Sequence, residues 1–102
     1  MSEEFTKEVK KLDVRVEEFC RREKEFVHQL HEYVRSLKEF DEAIDGQGGY
    51  GDMSIDRIME LKSKTYHSFQ RLMRSWSECD HERSHLLESF GGVLTSMEES
   101  LR

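Results

Sequence analysis

The residues best placed to do chemistry are His81-Glu82-Arg83-Ser84-His85. They spell H-E-x-x-H, a pattern in which two imidazoles one helical turn apart hold zinc while the glutamate activates a water. Such a centre also needs a third protein ligand and a scaffold that presents substrate. The extended pattern fails here, because Glu88 takes the place of a required glycine and Gly91 that of the third histidine. The expectation is therefore no metal site, with His81 and His85 as the pair to inspect, no catalytic residue, no enzymatic activity and no cofactor. His28, His31 and His67 fall on polar positions, as solvated side chains do.

A second string, Gly46-Gln47-Gly48-Gly49-Tyr50-Gly51, is a literal G-x-G-x-x-G. In a dinucleotide-binding fold that loop follows a strand and lets a pyrophosphate approach a helix N-terminus. Here no βαβ unit surrounds it, and it reads as a connector. Two cysteines, Cys20 and Cys79, do not make a disulfide scaffold, and reduced, buried thiols are the expectation.

The elements that must position these residues are legible from apolar spacing. Phe5, Val9, Leu12, Val16, Phe19, Phe26, Leu30, Tyr33, Leu37, Phe40 and Ile44 alternate by steps of four and three, with Glu23 as the one polar interruption. That is a heptad, the mark of a helix that packs lengthwise on others. The same spacing resumes at Ile55 and Ile58 and runs through Lys62, Thr65, Phe69, Leu72, Trp76, Cys79, Arg83, Leu86, Phe90 and Val93 to Met97. Between the arms lies the glycine-rich stretch. The fold predicted is all-α, a long antiparallel, coiled-coil-like helical hairpin with helices over about 3–44 and 54–101 and a turn at 45–53, forming one domain over 1–102. Ser54 is placed to cap the second helix, and Met53 and Ile58 to staple its entry. A kink or break is expected, if anywhere, near 77–80 or at Gly91-Gly92 (91–92).

Both stripes are wider than a two-stranded seam needs. Cys20, Val27 and Val34 broaden the first; Met59, Tyr66, Met73, Leu87, Leu94 and Leu101 broaden the second. Each arm thus has apolar surface for more than one neighbour. The expected association surface is Phe19, Phe26, Leu30, Phe69, Leu72 and Trp76. Glu23, Lys62 and Arg83 interrupt the stripes, and polar residues at such positions can set register or oligomeric state. If the chain folds back near residue 50, Cys20 and Cys79 stand at one level.

Charge narrows the partners. The net charge is −6, and residues 1–45 carry 9 basic and 13 acidic side chains against 7 and 9 in residues 46–102. Neither arm is basic, which argues against nucleic acid and anionic lipid as ligands. No apolar run is long enough to span a bilayer, and the N-terminal residues lack a signal-peptide pattern. A soluble, cytoplasmic or otherwise intracellular protein is the expectation. The leading functional reading is a scaffold or adaptor that self-associates, two hairpins making a dimeric four-helix bundle, or binds a helical protein partner. Arg74-Ser75-Trp76-Ser77 and its flanks resemble a stretch within sorting-nexin BAR domains, and that resemblance implies the alternative, a membrane-associated helical module. The chain departs from those domains in length and in lacking a basic face.

Overall fold

A computed structural model of the chain describes residues 3–46, 51 and 53–102. It contains two helices, α1 (Glu3–Gly46) and α2 (Ile55–Ser100), packed antiparallel as a helical hairpin. Most of the predicted turn, and with it most of the G-x-G-x-x-G string, lies outside the described residues. The entry to α2 follows the sequence closely. Arg57 donates its backbone N–H to Ser54 Oγ at 3.2 Å, and Ile58 donates to the Ser54 carbonyl at 3.1 Å. This hydroxyl satisfies one of the N–H groups that a helix start leaves free, and Asp56 in the first turn suits the helix dipole. Met53, just before the cap, is buried, as a stapling residue should be.

Neither expected break occurs. α2 runs as one helix through 77–80 and through Gly91-Gly92. A glycine pair weakens a helix without forbidding it, and the uninterrupted apolar spacing on both sides holds this one together.

By contact the chain divides into two compact units, one made of Met1–Glu25 with Ser77–Arg102 and the other of Phe26–Trp76. In the second unit Phe26 meets Trp76 edge-on with ring centroids 5.2 Å apart, and Tyr33 meets Phe69 at 5.6 Å. Lys64 donates to Glu39 at 2.8 Å. In the first unit Arg22 donates to Glu78 at 2.7 Å, and Arg15 lies 4.0 Å from Glu82. In both units, then, facing residues have numbers that add to roughly one hundred, as a fold-back near residue 50 requires.

The phase of the seam differs from the expected one. On α1 the half-buried seam positions include Phe5, Leu12, Phe19, Phe26, Tyr33 and Phe40, together with Glu8, Arg15, Arg22, Gln29, Ser36 and Ala43, and Ile44 is half-buried as expected. Val9, Val16, Leu30 and Leu37, expected in the core, are exposed. On α2 the inward residues are Ile58, Thr65, Leu72, Cys79, Leu86 and Val93 with Leu61, Ser68, Ser75, Glu82, Ser89 and Ser96. Lys62, Phe69, Trp76, Arg83, Phe90 and Met97 have turned outward.

Steric fit accounts for the rotation. α1 sends an aromatic or leucine side chain toward α2 at nearly every second seam position, and two facing rows of rings would hold the helices apart. Serines at 68, 75, 89 and 96 give those rings room and let the backbones approach. Phe69 and Trp76 then flank Tyr33 and Phe26 from the side.

Candidate interaction face

Rotation of the seam leaves one side of the hairpin apolar and open. On a helix each residue advances about 100°. Relative to Ile58, Thr65 and Leu72, the row Lys62, Phe69, Trp76 lies about 40° round from the seam and the row Met59, Tyr66, Met73 about 100° round, in the same sense. The matching rows of α1 are Leu30, Leu37 and Val27, Val34. Because the helices are antiparallel, equal rotations bring the two sets to the same side.

In the unit Phe26–Trp76 this side forms a groove of about 620 Å³ lined by Tyr33, Leu37 and Phe40 of α1 and by Met59, Lys62, Ser63, Thr65, Tyr66 and Phe69 of α2. Its walls are aromatic and aliphatic, and Lys62 is its single charged lining residue. Met59 is 57% exposed, Tyr66 60% and Trp76 53%, high values for side chains of this size.

The opposite side is polar. Lys64, two residues on from Lys62 and so about 200° away on the helix, reaches Glu39 there, among Glu42, Arg57 and Glu60. The hydrogen bond from Lys64, and then its charge, holds the Glu39 carboxyl below the usual carboxylate range. Arg21 does the same to Glu18 within one helix turn. Both pairs lie at the surface, so they contribute little stability.

The expected association surface is thus divided. Leu72 is buried in the seam, Phe19 and Phe26 are half-buried, and Leu30, Phe69 and Trp76 stand open. Met59, Tyr66 and Val34, whose signal in the sequence is the widening of the stripe, belong with the open group, as does Leu37 from the heptad itself. Glu23, Lys62 and Arg83 are all exposed rather than enclosed in a core. Arg83 is held by Asp80 at 2.6 Å on its own helix, and charges placed this way avoid the cost of desolvation.

Cys79 is half-buried in the seam and Cys20 is exposed, both as free thiols. Burial raises the Cys79 thiol above its ordinary value, with Glu23 and Asp80 adding to the effect and Arg83 opposing it. The fold-back places both cysteines near one level, but their side chains lie on different parts of the wheel.

His81 and His85 do come together, with ring centroids 4.4 Å apart. Among the described residues no group of three or more His, Cys, Asp or Glu side chains is arranged to hold a metal ion. Also among the described residues, no helix is long and apolar enough to cross a membrane. Fold and face together define the class: a helical hairpin whose unit Phe26–Trp76 has one ion-paired side and one apolar side. Neither a protein-family model, nor a curated protein, nor a solved structure matches the chain.

Proposed function

We propose that this chain is a non-enzymatic helical scaffold or adaptor module, and that it works by taking up helices on its open apolar side. The carrying observation is a reversal of the usual ranking. Ser68, Ser75 and Ser96 are buried, while Phe69, Trp76, Tyr66 and Met59 are left in solvent. A contiguous apolar surface rimmed by charge is what an interaction site looks like, and a groove between two helices suits an amphipathic helix presenting residues at i, i+3, i+4 and i+7. Lys62 is the single charged residue lining the groove, which favours a helix over an anionic lipid surface as the occupant.

A photo-crosslinking amino acid placed at position 69 of the full chain, in cells, tests the reading. Adducts with the chain itself or with an identified helical protein are expected at position 69 and not at position 64, on the polar side. Equal labelling at the two positions, or none at 69, counts against it.

A further inference from the structure

Resting on that reading, we infer that the occupant of the open side is a second copy of this chain. It is set about a two-fold axis parallel to the helices, so that its α1 lies along α2 here and its Asp41 meets Lys62.

Area comes first. The exposed parts of the large apolar side chains in Phe26–Trp76, Ile55, Met59, Tyr66 and Trp76 foremost, amount to on the order of 1,000 Å² per copy, against about 800 Å² per partner in a standard interface. Covering most of that surface would bury an area of the size that a standard interface uses, within one unit of the hairpin.

Symmetry comes second. A closed dimer must use one patch that complements itself. This side offers an aliphatic row on α1 (Leu30, Val34, Leu37) beside an aromatic and methionine row on α2. Turning one copy about an axis parallel to the helices lays the first row on the second in both directions at once. It also makes every neighbouring pair of helices antiparallel, so that their dipoles oppose.

Charge then checks the register. Such an axis preserves heights, so residues meet across the interface at the levels at which they meet within the hairpin. Phe26 faces Trp76 and Tyr33 faces Phe69, pairs that both add to 102. Lys62 accordingly lies level with residue 40 of the second copy, one residue from Asp41. Among the described residues Lys62 and Asp41 are without an ion pair of their own. Pairing across the interface supplies each with a partner and draws each Lys62 away from its symmetry mate.

Sedimentation equilibrium of the full chain, with helicity followed by circular dichroism, tests this. A dimer is expected for the wild type. Lys62→Glu and Asp41→Lys should each weaken it about tenfold or more at unchanged helicity, since each sets like charges face to face. The double variant Lys62→Glu/Asp41→Lys should recover the wild-type constant. A dimer indifferent to both reversals, or a double variant as weak as the singles, overturns the inference. So does a wild-type monomer at high micromolar concentration; position-69 adducts with a different helical protein would then leave the scaffold reading standing and reassign its occupant.

Discussion

Ser68 is fully buried, and among the described residues its hydroxyl has no hydrogen-bond partner. Taking a hydroxyl out of water without compensation costs free energy, so the serine is present for its size rather than for its polarity. Alanine keeps the size. Ser68→Ala should stabilise the hairpin by about 1 kcal/mol, through relief of desolvation and better helix propensity. Ser68→Leu restores the hydrophobicity that a sequence pattern would favour, but it overfills the space beside the rings of α1. It should cost about 1–3 kcal/mol. Thermal denaturation of the three proteins orders them Ala above wild type above Leu. The reverse order would show that the serines do not set the approach of the helices.

At the scale of the element, α2 spans two glycines without interruption. A Cβ at Gly91 would meet nothing within 4 Å, whereas one at Gly92 would come 2.6 Å from Glu8 Oε2, the end of a flexible side chain. Gly91→Ala should therefore deliver the full propensity gain, about 1 kcal/mol in a helix interior. Gly92→Ala should deliver less, because Glu8 must move. Urea unfolding with an unchanged m-value would register both as changes of stability alone. The two helices and the Ser54 cap could be read from sequence, because each follows from local spacing or local hydrogen bonding; the sequence leaves open whether α2 breaks at 77–80 or 91–92, and the structure shows it as one helix. The phase of the seam could not be read. Ile58, Thr65 and Leu72 belong to both candidate registers, and completing them with Leu61, Ser68 and Ser75 or with Lys62, Phe69 and Trp76 gives the same alternation of three and four. Hydrophobicity favours the second set. Packing against Phe26 and Tyr33 selects the first, and that depends on the facing helix, which no spacing within α2 contains. The division of the expected surface into buried Leu72 and open Leu30, Phe69 and Trp76 follows from the same choice.

For the whole molecule, a second copy on the open side makes stability inseparable from concentration. Anything that binds the folded state and not the unfolded one raises the apparent stability by mass action. The melting temperature of the wild type should therefore climb as protein concentration rises. Phe69→Glu puts a charge on the open side without touching the buried serines or the cap. It should melt at one temperature across that range, with its helicity retained in dilute solution. Trp76 is the only tryptophan and is half-exposed on that side, so its emission gives an independent reading. It should shift to the blue with concentration in the wild type and stay fixed in Phe69→Glu. A wild-type melting temperature that does not depend on concentration, with Trp76 equally open to quencher throughout, would mean that the chain does not cover its own apolar side. The free energy of that surface would then be available only to a helix from another protein.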